Sequence, residues 1–389
     1  MRKIAIVHDW LTGMRGGEKC LEALLELYPG STIYTLVHKK GSVAADMEKM
    51  DIRTSLLMRI PGIERNYRSF LPFFPWAIES FDLSAYDLVI SSSHCAAKGA
   101  RKKEGALHIC YCHTPIRYAW KFFDEYFSRE NVLKKQLIKW IVSWMKKWDL
   151  KTNEGVDHFI ANSNAVKDRI KEYYGRDAAV IYPPVSEPHP QNTMVHGPWS
   201  MVPEGSTYYL VVSALVPYKR VDLAVEVFNK NKKELVIVGT GTEYEKLKKK
   251  AGGNIHFAGW VNDAELEDYY AGCKALIFPG EEDFGIVPLE AQMRYKPVIA
   301  YARGGVLETV IPMGSVQGGN GTSPTGVFFD RDTPESLEEA IALFEKNVSA
   351  FDPEGLRNNA LSFGRERFKR EMREYIEAKW EEHVNACGS

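Results

Sequence analysis

Short apolar runs alternate with amphipathic stretches from one end of the chain to the other. In the first half the runs are Ile4–Val7, Thr32–Leu36, Leu88–Ser91, Leu107–Cys112 and His158–Ala161, with Ala179–Tyr182 the weakest. They are short and rich in Val and Ile, and helical patterns separate them. That pattern predicts buried parallel strands joined by crossover helices. Tyr182–Pro190 then carries prolines at 183, 184, 188 and 190 and can continue neither a helix nor a central strand, so it predicts an interdomain linker. The second half restarts the alternation with Tyr208–Ser213, Leu235–Val238, Ile255–Phe257, Ala275–Phe278, Val298–Tyr301 and Val327–Phe329. The expected architecture is α/β, two Rossmann-like domains with helices on both sheet faces. The expected division is residues 1–183 and 184–369. The charged helical stretch near the end, about 370–389, is expected to cross back onto the first domain. Ligands of such sheets bind outside the carboxyl ends of the strands, so two such edges are expected to face each other across a cleft.

Composition agrees with two globular domains. The chain has 389 residues, 45% hydrophobic and 26% charged, which excludes a disordered, collagen-like or disulfide-scaffold protein. Fifty basic residues against 51 acidic ones leave a net charge of -1 and no global field for nucleic acid. The balance is uneven, however. Residues 1–187 hold 28 basic and 22 acidic residues, and the remainder 22 and 29, so the first half suits an anionic surface. Six scattered cysteines fit a reducing compartment. Cys110-x-Cys112-His113 lacks a second Cys or His pair at zinc spacing and reads as one face of a buried strand. No run reaches 18 apolar residues, and the apolar start at Ile4–Val7 is too short for a signal-peptide core. The expected location is the cytoplasm, with the inner face of the cell membrane as an alternative.

Two constellations carry chemistry. In the first, the strand Ile4–Val7 runs through His8 and Asp9 into Gly13, Gly16 and Gly17, where a helical pattern begins. Glycines there admit a ligand close to the backbone, and free helix N–H groups suit an anion. The spacing is not G-x-G-x-x-G, so a hydride-transfer cofactor is disfavoured. A tight turn without a ligand remains the alternative. The second is Gly280-Glu281-Glu282-Asp283-Phe284-Gly285-Ile286-Val287-Pro288-Leu289-Glu290, just beyond a predicted strand. Pro288 suits a first helical turn. The amides of Phe284, Gly285, Ile286 and Val287 would then point at an anion, with Glu282 above them and Glu290 in the first turn. His113 follows the strand Leu107–Cys112 at the carboxyl edge, where a ligand role and a structural role are both open.

At these residues the chain resembles the retaining glycosyltransferases of family 4, with the GT-B architecture. The E-x7-E pattern of Glu282 and Glu290 around Phe284–Leu289 carries the resemblance. Val212–Asp222, Val236–Gly241, Phe257–Val261 and Tyr111–Pro115 extend it along nearly the whole chain. His113–Trp120 looks most like bacterial mannosyltransferases that build surface polysaccharides or lipid-linked glycans. The resemblance implies a nucleotide-sugar donor, GDP-mannose foremost, and no metal or other cofactor. It implies that Glu282 holds the transferred sugar, Glu290 the ribose, and Lys219 the diphosphate. Val261 would lie near the base, His113 beside the reacting sugar, and Gly17 at the diphosphate. Many members place an Arg where this chain has Ala214, which leaves Arg220 to supply that charge. Asp9 and Glu18 are further contributors on the acceptor side. A GT-B-fold epimerase or phosphorylase, and a two-lobed sugar-binding protein without turnover, are the competing readings.

Asp330-Arg331-Asp332 matches a metal-binding Asp-x-Asp in letters, but Thr333-Pro334 after it reads as a helix cap. Two stretches of the first half are unusual. Leu56–Trp76 is aromatic with interleaved arginines. Val132–Trp148 carries Leu133, Leu137, Trp140, Ile141, Trp144, Met145 and Trp148 at helical spacing, with Lys134, Lys135, Lys139, Lys146 and Lys147 mainly off that stripe. Such a helix either packs on its own sheet or lies in an anionic membrane interface. In the second case the acceptor would be a glycan on a polyprenyl diphosphate.

Overall fold

A computed structural model describes residues 2–121, 123, 131–187, 207–314 and 323–387. The chain divides into two compact units, residues 1–184 with 365–389, and residues 185–364.

The first unit opens with β1 (Ile4–Leu11), α1 (Gly16–Leu27), β2 (Thr32–His38) and β3 (Ile52–Thr54). It continues through α2 (Phe74–Glu79), β4 (Leu88–Ser93), β5 (Leu107–Cys112), α3 (Val132–Lys151), β6 (His158–Ala161), α4 (Asn164–Tyr174) and β7 (Ala178–Val180). Its seven strands lie in the order β3-β2-β1-β4-β5-β6-β7, every pair parallel. Both faces are buried. Ala5, Val7 and Val89 enter one core cluster, while Ile6, Leu88, Ile90 and Ile109 enter another, as the period of two requires. The edge strand β3 was not legible in the sequence. Its three residues, Ile-Arg-Thr, are too few to show alternation.

The second unit contains β8 (Tyr208–Val212), α5 (Val221–Asn231), β9 (Leu235–Val238), β10 (Ile255–Gly259), α6 (Asp263–Gly272) and β11 (Cys273–Phe278). After these come α7 (Ile286–Met293), β12 (Val298–Tyr301), β13 (Gly326–Phe329) and α8 (Pro334–Lys346). Its order is β10-β9-β8-β11-β12-β13, again wholly parallel. In both units the first strand sits beside the fourth, so the chain reverses its winding direction there. The loops after those two strands diverge to opposite faces and leave a crevice at the carboxyl edge.

Val185 N donates to Phe363 O at 3.0 Å, so the chain enters and leaves the second unit side by side. Residues 188–190 of the proline segment, and residues 315–322 of the Gly314–Gly326 loop, lie outside the described residues. The last helix, α9 (Arg365–Cys387), belongs to the first unit. It begins before the expected position 370, because Phe368 is as fully buried in the first unit's core as Met372 and Ile376. Arg365 anchors its start, 2.9 Å from Glu22 and 2.6 Å from Glu26.

The stripe expected on α3 is two stripes. Val142 and Met145 are buried, with Ile138 and Ile141 packed beside them against Ile116 and Ala119. Leu133, Leu137, Trp140 and Trp144 instead face solvent, Leu133 being 85% and Trp140 70% exposed. At about 100° per residue the apolar positions cover an arc of roughly 200°, wider than one packing face. Leu71, within the aromatic segment Leu56–Trp76, packs on the same inner face, and Phe73 and Trp76 are each 56% exposed. Lys98 holds the far end of α3. Its buried Nζ lies 2.5 Å from Asp149 O, 2.7 Å from Thr152 Oγ1, and 3.0 Å from both Asn153 Oδ1 and Asp149 Oδ1.

Candidate active site

In the second unit the loops after β8 and β11 converge. Lys219 ends a short turn, Pro217–Lys219, and Arg220 takes a left-handed φ of 52° to start α5. Across from them, Pro279-Gly280 leads β11 into Glu282. Lys219 Nζ pairs with the Glu282 carboxylate. A pocket beneath is lined by Val212, Ser213, Lys219, Phe278, Pro279 and Gly280. Gly280 is needed for this approach. A Cβ there would stand 2.7 Å from Lys219 Cα and O, closer than van der Waals contact permits. Gly305 N donates to Glu282 O at 2.9 Å and pins the acidic loop from the other side.

That loop turns into α7 at Gly285, whose φ of 87° makes it a left-handed N-cap. Phe284 is buried, with its ring 5.8 Å from that of Phe363, and fixes the loop from below. The first amides of a helix have no partner within it and carry the positive end of its dipole, so Ile286 and Val287 open an anion-favouring start. Glu290 lies in the second turn rather than the first, because the helix begins at Ile286. There it accepts from Tyr270 OH at 3.0 Å. Val261, after β10, packs on the same apolar cluster as Val212 and Val287. Arg220 does not join Lys219. Its guanidinium pairs with Asp332 and lies 3.2 Å from Asp222. Asp332 is therefore taken up by a cation, and Thr333 caps α8 by accepting from Ser336 N. Among the described residues no group of three or more His, Cys, Asp or Glu is arranged to hold a metal ion.

The first unit gathers its polar residues at the ends of β1, β4 and β5. Gly16 and Gly17 begin α1. A Cβ on Gly17 would be 3.6 Å from His8 Cε1 and 3.7 Å from His113 Nε2, so this helix start lies against two imidazoles. His113 Nε2 is 2.8 Å from Ser92 Oγ, which is 3.0 Å from His8 Nδ1. Asp9 is fully buried. Its Oδ2 accepts from the backbone of His94 and Cys95 at 2.7 and 2.9 Å, and its Oδ1 from Ala96 and Ala97 at 2.5 and 2.8 Å. His94 Nδ1 stands 3.0 Å from the same carboxylate. Burial works against the charge, but the His94 ring and these donors outweigh it and hold the Asp9 carboxyl well below the usual range. Burial, with His94 nearby, drives the pKa of His8 down to about 4. Glu18 accepts from Arg15 N at 3.2 Å, and burial raises its pKa. Ser92 and His94 were not singled out from the sequence. The signal present was Ser91-Ser92-Ser93-His94, a polar end on an otherwise apolar strand. Cys110 and Cys112 are free thiols facing the apolar cluster around Phe159 and Val166, as a strand with both on one face requires.

Two parallel sheets in this order, each with its polar residues at the carboxyl edge, are the architecture of the GT-B fold. Residues 34–187 match the sequence model of glycosyltransferase family 4, and residues 200–362 that of glycosyl transferases group 1. Between them the two matches span most of the chain, which belongs to glycosyltransferase family 4. It is 24% identical to the alpha-1,3/1,6-mannosyltransferase ALG2 of Kluyveromyces lactis over 94% of this chain and 82% of that one. It is 25% identical to human ALG2 over 77% and 74%. Among solved structures it superposes on HepE of Anabaena in complex with UDP with a TM-score of 0.68, at 14% identity, covering 97% of this chain and 100% of that one. Sucrose-phosphate synthase of Thermosynechococcus elongatus gives 0.70 at 16% identity over 97% and 99%.

Proposed function

We propose that this enzyme moves mannose from GDP-mannose, with retention of configuration, onto a glycan or lipid-diphosphate-linked acceptor. The observation that carries the reading is the meeting of Lys219 and Glu282 at the opening of α7. In the proposed reaction the bond from the sugar's anomeric carbon to the diphosphate breaks, and a bond to the acceptor oxygen forms. The acceptor's proton passes to an oxygen of the leaving diphosphate. Negative charge grows on that diphosphate, and Lys219 with the amides of Ile286 and Val287 is placed to stabilise it. Glu282 accepts hydrogen bonds from the sugar's hydroxyls, and Glu290 from the ribose. Val261 packs near the base. Gly16, Gly17 and His113 are the first unit's contribution to the same reaction. The names of the relatives favour mannose. Incubating the purified enzyme with GDP-mannose, UDP-glucose or UDP-galactose and a polyprenyl-diphosphate glycan tests the proposal. Transfer from GDP-mannose alone is expected. It should be abolished in Glu282→Ala with an unchanged melting curve, and GDP affinity should fall in Lys219→Ala. Transfer from a UDP-sugar instead would overturn the donor, and full activity in Glu282→Ala would overturn the site.

The acceptor side is proposed to meet an anionic membrane. The support is the solvent-facing row Leu133, Leu137, Trp140 and Trp144 with lysines around it, in the half of the chain that carries the basic excess. Among the described residues no helix is long and apolar enough to cross a membrane, so the contact would be peripheral.

A further inference from the structure

The polar chain in the first unit has a property that its members do not have singly. His8 and Ser92 are directly paired across β1 and β4, and His113 follows the neighbouring strand β5. Ser92 therefore sits between two imidazole rings, 3.0 Å from one and 2.8 Å from the other. A hydroxyl has one proton, so it can donate to only one of the rings, and when it does the other ring must donate to it. The tautomers of His8 and His113 are thereby tied together. If Ser92 donates to His113 Nε2, then His8 must carry its proton on Nδ1. If Ser92 instead donates to His8 Nδ1, then His113 carries a proton on Nε2 and neutral His8 carries its own on Nε2.

The far side of His8 decides between these states. The ring is 0% exposed, and its Nε2 is buried with no hydrogen-bond partner among the described residues. Burial keeps the ring neutral near pH 7, so one nitrogen is bare. The ring's Cε1, which is bonded to both nitrogens, would be 3.6 Å from a Cβ on Gly17, in the first turn of α1. The N–H groups of a helix start carry partial positive charge. A proton on the unpartnered Nε2 would add a buried N–H without an acceptor near this positive end, which costs more than leaving that nitrogen bare. His8 is thus protonated at Nδ1, Ser92 turns its proton to His113, and His113 Nε2 is an acceptor with its proton on Nδ1.

We propose that His8 is a positioning residue that fixes, through Ser92, the tautomer in which His113 takes part in glycosyl transfer. The proposal rests on the reading of His113 given above. Asp9 serves a separate purpose, holding the backbone of residues 94–97.

Two variants separate this role from mere packing. His8→Leu keeps an apolar side chain but no donor. His8→Asn keeps an amide N–H near the place of Nδ1. Imidazole nitrogen-15 labelling with long-range proton correlation reads the tautomer in the free enzyme. The expected result is His113 protonated at Nδ1 in the wild type, and a shift or mixture in His8→Leu and Ser92→Ala. In the transfer assay His8→Leu should lower kcat about tenfold, the scale of one hydrogen bond lost from the chain that orients His113. KM for the donor and GDP affinity should be unchanged, and His8→Asn should restore kcat to within about threefold. His113 protonated at Nε2 in the wild type, a tautomer indifferent to His8, or equal loss in the Leu and Asn variants would overturn the proposal. The tautomer readout needs no substrate. A His113 that follows His8 in a protein transferring no sugar would overturn the transferase reading and leave the His8–Ser92–His113 coupling standing.

Discussion

Asp9→Asn tests how the first unit's site is built. The carboxylate receives four backbone N–H groups, two on each oxygen, at 2.5–2.9 Å. An amide offers one acceptor oxygen, so at least two of these bonds are lost, and its NH2 points at donors. A hydrogen bond to a charged group contributes about 1.5–3 kcal/mol, which makes the expected cost about 3–6 kcal/mol. For a unit of this size each kcal/mol moves Tm by about 2–4 °C, so the first unit's transition should fall by roughly 6–24 °C. Scanning calorimetry at pH 7 reads this directly. The pH dependence supplies a second check. The folded pKa is depressed below the ordinary value of 3.8. The stabilisation is therefore fully present above that value and is lost as pH falls through it toward the folded pKa. The gap between wild type and variant should hold from pH 5 to 8 and narrow below about pH 4. A Tm shift under 2 °C at pH 7, or a gap independent of pH down to 2, would refute the reasoning.

Three further outcomes are expected. Gly280→Ala forces a methyl against the backbone of Lys219 and should weaken GDP binding about tenfold or more while leaving the fold intact; an isothermal titration matching wild type would show that the two loops yield freely. Lys98→Met leaves Asp149 buried without its cation and should cost about 3–5 kcal/mol, read as a lowered Tm; stability within 1 kcal/mol of wild type would remove this pair as the anchor of α3. Replacing Trp140 and Trp144 by Ser should abolish flotation with anionic vesicles and leave it unaltered with neutral ones, and equal flotation of variant and parent would remove the membrane surface.

Much of this protein is written locally. Parallel strands buried on both faces need continuous apolar runs, so nearly every strand was legible. Phe284-Gly285-Ile286-Val287 between two glutamates announced a loop entering a helix. Lys219 and Glu282 were legible as a pair only through the family resemblance, because 63 positions of chain separate them. Tertiary structure alone decided which apolar face of α3 is covered, since periodicity records that positions are apolar and not what lies opposite them. It turned Arg220 toward Asp332, set Glu290 one turn deeper beside Tyr270, and placed Phe368 in the first unit's core. It also assembled His8, Ser92 and His113. A hydrogen bond between residues on separate strands depends on register, and register is a property of the sheet rather than of any one segment.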